Sequence, residues 1–173
     1  MEARALAQLG NGDGARRALA EAQKEIAEMP DIQSSPWISS FDTAALASEA
    51  ALALQDAGRL PAAVEVAEEA IALRSGDRAR SRVFSQITLA LIRTRQRELE
   101  ATCEVGRALL GDCGTLGSLR ITQQLDLLAR ALDRHRAERI VSELLDYLAE
   151  TKRQRALILA GIGAVPAGGG AGI

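Results

Sequence analysis

The stretch AALASEAALALQDAGRLPAAVEVAEEAIALRSGD, Ala44 to Asp77, decides the fold. Its first half sets Leu46, Ala50, Leu54 and Ala57 at helical spacing and stops at Gly58, a residue that adopts the left-handed conformation of a helix end without a Cβ penalty. Asp42 stands before it as an N-cap. Arg59-Leu60-Pro61 then turns the chain, and Pro61, with its preset φ and missing N–H, suits the first turn of the next helix. That helix carries Val64, Ala67, Ala70 and Ile71 on one face and ends at Ser75-Gly76-Asp77. The result is a helical hairpin whose close-packing positions are alanines. A helical pair cannot cover its own apolar face, so stacked neighbours must supply the core.

Composition agrees. Hydrophobic residues make up 47% of the 173 residues but aromatics only 2%, which favours tightly packed helices over a sheet sandwich. The net charge of -2 and a pI near 5.6 lack the long-range positive field of a free-standing DNA binder. Cys103 and Cys113 fit neither a CxxC redox pair nor a zinc-ligand spacing and read as reduced thiols. No segment approaches the roughly 18–20 uninterrupted apolar residues of a membrane span, and Met1-Glu2-Ala3-Arg4 opens no hydrophobic signal core. The expectation is an all-α cytoplasmic protein with no membrane contact.

Outward from the central hairpin, punctuation marks three more. Residues 1–9 read as a helix stopped at Gly10, and Asp13 is placed as N-cap of a helix from Ala15 to Glu28 closed by Pro30. A connector follows, with Ser34-Ser35, Pro36 and the single tryptophan, Trp37, which reads as a plug in a hydrophobic gap. A third pair carries Val83, Ile87 and Leu91, then Leu99, Cys103, Ala108 and Leu109. The fourth runs from Ser118 through Leu125, Leu128 and Leu132, then from Ala137 through Val141, Leu144 and Leu148. Residues 1–160 are read as the helical domain and 161–173 as a Gly/Ala-rich flexible tail, too poor in apolar surface to order itself.

The hairpin of Ala44 to Asp77 matches the tetratricopeptide period of about 34 residues, with Gly58 in the turn and Ala63, Ala67 and Ala70 at the small sites, though without the aromatics. Equivalent small sites are placed at Ala15, Ala63, Ala101 and Ala137. The expected fold is a tetratricopeptide-like right-handed solenoid of about four antiparallel helical hairpins. Ser35-Pro36-Trp37 leading into Phe41-Asp42, then Ala57-Gly58-Arg59 with Ala62-Ala63, then Arg78 to Arg82, carry a further likeness. Over roughly residues 1 to 152 the chain resembles the C-terminal tetratricopeptide region of actinobacterial transcriptional regulators that begin with an Xre-type helix-turn-helix domain. The resemblance implies a sensing region for a partner, peptide or metabolite. No helix-turn-helix segment is among these residues, so direct DNA binding is not carried over.

Enzymatic motifs are missing: no GxSxG elbow, HExxH helix or P-loop occurs. His135 sits in the charged turn Asp133-Arg134-His135-Arg136, a surface position without an orienting partner. Gly10-Asn11-Gly12-Asp13-Gly14 resembles a phosphate loop, but no strand precedes it and no lysine follows, so it reads as a turn. No catalytic residue, metal site or cofactor is expected.

Charge is uneven. Residues 74 to 97 hold seven arginines against Asp77 alone, while residues 1 to 73 hold twelve acids against five bases. Arg78, Arg82 and Arg97 therefore form a candidate anion or partner patch, the alternative being a solvated face paired with Glu98, Glu100 and Glu104. In a stack of hairpins the concave face is lined by first helices, which places Ser48, Leu52 and Gln55, then Gln86, Ala90 and Arg93, on it. Lacking lysine and asparagine there, such a groove speaks against a carboxylate clamp and fits a mostly apolar helix or extended peptide. The expected function is a non-enzymatic protein- or peptide-binding module, the sensing part of a bacterial transcriptional regulator, with a general scaffold or adaptor as the alternative. A homodimer is expected, because an incomplete stack exposes apolar helix faces at its ends.

Overall fold

The structure, a computed structural model, describes residues 2–28, 43–74, 78–114 and 116–163, with side chains described as far as residue 160. Trp37, Asp42, Pro30, Asp77 and the tail beyond residue 163 lie outside the described residues. Eight helices and no strand occur among those described: α1 (Glu2–Gln8), α2 (Gly12–Glu28), α3 (Thr43–Asp56), α4 (Leu60–Ala72), α5 (Ala79–Gln96), α6 (Leu99–Cys113), α7 (Leu119–Asp133) and α8 (Arg139–Gly163). The chain is all-α. Helix α8 runs past residue 160, the boundary read from composition.

Helices pack as consecutive pairs, α1 with α2, α3 with α4, α5 with α6 and α7 with α8. Between pairs, α1 packs on α3 and α5 on α7, while α3 touches α5 only lightly. Helix α4 also packs on α5, and α6 on α8.

The turns explain the pairing. Gly10 (φ 78°) and Gly58 (φ 73°) end α1 and α3 in the left-handed conformation, as their positions in the sequence suggest. Arg97 (φ 65°) performs the same task at the end of α5, with Arg97 N donating to Thr94 O at 3.1 Å and Glu98 N to Arg93 O at 3.1 Å. After each turn the next helix opens alike: Ala15 N donates to Asn11 O, Ala63 N to Arg59 O and Thr102 N to Glu98 O. The third close-packing position is thus Thr102, fully buried, rather than Ala101, while Ala137 is exposed in the turn before α8. The cap of α2 also differs from expectation. The helix starts at Gly12, and Asn11 caps it by accepting from Gly14 N at 2.9 Å. Asp13 lies inside the first turn and pairs with Arg16, whose hydrogen bond holds its carboxyl below the usual range.

Two hydrophobic clusters form the core, and their composition is graded. Ala51, Ala63 and Ala67 meet Leu89 and Ile92 where α3 and α4 pack on α5. A larger cluster of Val83, Ile87, Leu109, Ile121, Leu125, Leu128, Leu132, Leu144 and Leu148 fills α5 to α8. Gly106 sits at the closest approach of α6 to α8, where an added Cβ would lie 2.7 Å from Leu144 Cδ2. Glycine is needed there because Leu144 is locked inside the cluster.

The two glycines of α6 predict opposite signs. Gly106→Val should destabilise by about 1–3 kcal/mol through overpacking. Gly111→Ala, whose Cβ meets open space, should stabilise by about 0.5 kcal/mol. Urea midpoints at unchanged slope check both, and equal signs would contradict the packing described. Replacing Arg97 by glycine should raise stability by about 0.5–1 kcal/mol by removing left-handed strain from a side-chain-bearing residue. A lower midpoint in the same measurement would refute it.

Candidate functional site

One hollow of about 430 Å³ runs over the first helices of all four pairs. Arg4 comes from α1, Ser48, Glu49 and Leu52 from α3, and Arg120, Gln124 and Leu127 from α7. Helix α5 contributes the most, with Ser81, Phe84, Ser85, Thr88 and Leu91 at the three- and four-residue spacing of one helix face. Arg74, just after α4, completes the lining.

Its floor is a hydroxyl and guanidinium network. Arg74 Nε donates to Ser85 Oγ at 3.2 Å, and Nη2 donates to Ser48 Oγ at 3.1 Å and to Ala44 O at 3.3 Å. The two serine hydroxyls lie 3.1 Å apart and share a hydrogen bond. Both sit within reach of the carbonyl four residues back, Ser48 Oγ 2.9 Å from Ala44 O and Ser85 Oγ 3.3 Å from Ser81 O. Arg74 thereby ties α3 to α5 from a segment between α4 and α5. At one end Arg4 Nε and Gln8 Nε2 both donate to Asp56 Oδ2 at 3.0 Å, fastening α1 to the end of α3. At the other, the Arg120 guanidinium lies over the Phe84 ring, 5.3 Å from its centroid.

Of the residues placed on this face from sequence, Ser48 and Leu52 line the hollow and the rest lie elsewhere. Gln55 is half-buried near the end of α3, and its carbonyl accepts from Arg95 Nη1 at 2.9 Å. Ala90 is inside the core. Gln86 is buried beside a different hollow, of about 390 Å³, between α4, α5 and α6, and donates to Asp112 Oδ2 at 3.0 Å. Arg93 bridges Glu68 and Glu98. The face of α5 turned to the hollow is thus Ser81 to Leu91, not that of Gln86 and Arg93. It brings three arginines, Arg4, Arg74 and Arg120, where one was expected, and the composition used against a carboxylate clamp does not describe this groove.

The candidate arginine patch is not brought together. Arg82 Nη1 donates to Ile71 O at 3.2 Å and its Nε lies 3.9 Å from Asp112. Arg78 opens α5 and Arg97 closes it, which separates Arg97 from the other two by more than 20 Å, at roughly 1.5 Å of rise per residue. Among the described residues no group of three or more His, Cys, Asp or Glu side chains could hold a metal ion. Both cysteines are buried and free, and burial pushes both thiols up from their ordinary value, which suits inert packing residues.

Arg155 was not foreseen. It is 1% exposed, yet no carboxylate meets it among the described residues. Its Nη1 donates to Cys113 O and Leu116 O, both at 2.6 Å, and Nη2 to Ser118 O at 2.8 Å. One side chain of α8 thus satisfies the carbonyls at the end of α6 and in the loop to α7, where the helix dipole favours a cation. The signal is present in sequence: Leu144, Leu148, Thr151 and Arg155 continue one buried stripe.

Comparison with protein-family models, with curated proteins and with solved structures finds no match to this chain. Among the described residues no helix is long and apolar enough to cross a membrane.

Arg155→Met should cost about 1–3 kcal/mol, because Cys113 O, Leu116 O and Ser118 O lose their charged donor and keep only one backbone N–H each. Arg155→Lys should lose less, keeping the charge without the planar fork. A loss under about 1 kcal/mol for the methionine variant, read from urea midpoints, would remove Arg155 from its structural role.

Proposed function

We propose that the chain is a non-enzymatic helical-repeat module, a tetratricopeptide-like right-handed solenoid of about four hairpins, that binds a protein or peptide along the four-helix hollow. The observation that supports this reading is the shared construction of the hollow: α1, α3, α5 and α7 each contribute and no single hairpin forms it. Its chemistry suits an extended chain. Hydroxyls of Ser81 and Thr88 and the amide of Gln124 offer partners to a peptide backbone, and Leu52, Leu91 and Leu127 offer apolar contact to its side chains.

The regulatory part of the proposal rests on the resemblance carried by Ala57-Gly58-Arg59, Ala62-Ala63 and Arg78 to Arg82. On that reading the module senses its partner within a cytoplasmic bacterial transcription regulator and does not itself hold DNA. Leu119, Leu157 and Ile158, exposed on the last pair, supply an apolar surface for a homodimer.

A methyl-labelled sample titrated with a random heptapeptide pool tests the groove. Resonances of Leu52, Leu91 and Leu127 should shift while those of Leu157 and Ile158 stay in place. Shifts confined to the last pair, or none at all, would refute peptide binding in the hollow. Fluorescence anisotropy with duplex DNA at physiological salt should show no sequence-specific submicromolar complex.

A further inference from the structure

We propose that the hollow of about 390 Å³ between α4, α5 and α6 is a second binding site, which holds a neutral, mostly apolar alcohol by its hydroxyl at Gln86 and Arg82. It uses a different face of α5 from the four-helix hollow and stands or falls apart from the peptide reading. Its origin lies in the packing. Helices α4 and α6 both rest on α5 but hardly on each other, so a trough stays open over α5 where the second and third pairs meet.

Apolar side chains line most of the trough, Ile71 and Ala72 from α4, Leu89 from α5, and Val105 and Ala108 from α6. Gln86 interrupts them. It is 5% exposed, and its Nε2 donates to Asp112 Oδ2 at 3.0 Å. A carboxylate only accepts, so that bond fixes which end of the amide is which and leaves Oε1 as the other. Oε1 is shut off from solvent and has no partner among the described residues. A buried carbonyl in that condition keeps the full penalty of its lost hydration until a donor reaches it. The soft terminal torsion of glutamine lets the oxygen turn toward a donor entering the trough while the backbone stays in place.

Arg82 lies one turn earlier on the same helix face and converges on the same carboxylate oxygen, its Nε 3.9 Å from Asp112 Oδ2. That distance is beyond hydrogen-bond reach, and Nη1 donates to Ile71 O at 3.2 Å, so the guanidinium keeps donors for a second acceptor. An acceptor lacking a donor thus stands beside a donor with capacity left. A hydroxyl meets both at one atom, because it donates its hydrogen and accepts at its lone pairs. An ether only accepts, and an ammonium only donates. Charge points the same way: Glu68 and Asp112 are set against Arg93 and Arg82, so the site favours neither a cation nor an anion. The volume suits a small molecule, with room for about a dozen groups of water or methylene size at roughly 30 Å³ each.

Four probes of matched length separate the outcomes in titrations of the methyl-labelled full chain: n-octanol, heptyl methyl ether, octanoate and octylammonium. The alcohol should shift Ile71, Leu89 and Val105 while Leu52, Leu91 and Leu127 stay in place. It should bind at least about tenfold more tightly than the ether, the loss expected when a buried acceptor goes unmet. Gln86→Met should level the two. Ala108→Phe, at an exposed position that fills the trough, should abolish binding of both with an unchanged melting curve. Equal binding of alcohol and ether to the unaltered chain, tighter binding of either charged probe, or shifts confined to the four-helix hollow would overturn the proposal. Absence of any shift would do so too and would leave Oε1 to ordered water only.

Discussion

Helix α5 is the member that joins the two halves of the stack. It packs against α3, α4, α6 and α7, and the two hydrophobic clusters meet along it, Leu89 and Ile92 facing one and Val83, Ile87 and Ala90 the other. A helix enclosed in this way has few directions left for polar side chains, and those it buries find partners on α5 or on its neighbours, save Gln86 Oε1, which has none among the described residues. Thr94 Oγ1 donates to Ala90 O at 2.7 Å and Gln86 to Asp112, while Ser85 joins the network under the groove. The wall of the hollow is the face of α5 that carries Ser81, Phe84, Ser85, Thr88 and Leu91. Site and core are two sides of the same element.

Enclosure also explains which parts of the molecule could be read in advance. The hairpins were legible because Gly10 and Gly58 sit where a left-handed residue must, and because α3 and α4 have apolar faces broad enough to register. The register of α5 was not legible. Buried residues occur around most of its circumference, so no single stripe marks an inside and an outside, and Gln86 and Arg93 could be taken for groove residues when they face α4 and α6. The close-packing site of the third pair was misplaced by one residue because Thr102 satisfies its hydroxyl on Glu98 O at 2.8 Å and so packs where an alanine was sought. Arg155 escaped notice because an arginine on an apolar stripe is read as exposed unless its acceptors are known, and those acceptors are backbone carbonyls that a sequence does not display.

The concentration of arginine between residues 74 and 97 acquires a structural meaning. Arg74 links α3 to α5, Arg82 links α5 to the end of α4 and to α6, Arg93 links it to α4, and Arg95 caps a carbonyl of α3. Long side chains with several donors fasten the central helix to its neighbours across distances that alanine-lined interfaces cannot fill. Surface pairs of this sort contribute little singly, and Arg74 differs in being held by hydroxyls and a carbonyl on the groove floor.

The graded core has a dynamic consequence. Alanine contacts bury less apolar area than leucine contacts, so the pairs α1–α2 and α3–α4 are docked less firmly than the leucine-filled block of α5 to α8. In a stack whose units support one another only through neighbours, opening starts at the weaker end and stops at the stronger one. The bonds from Arg74 and Ser48 to Ser85 cross that boundary. Amide exchange in the first four helices therefore reports on the integrity of the groove itself, and any ligand bridging its two halves slows that exchange by holding the weak block to the strong one.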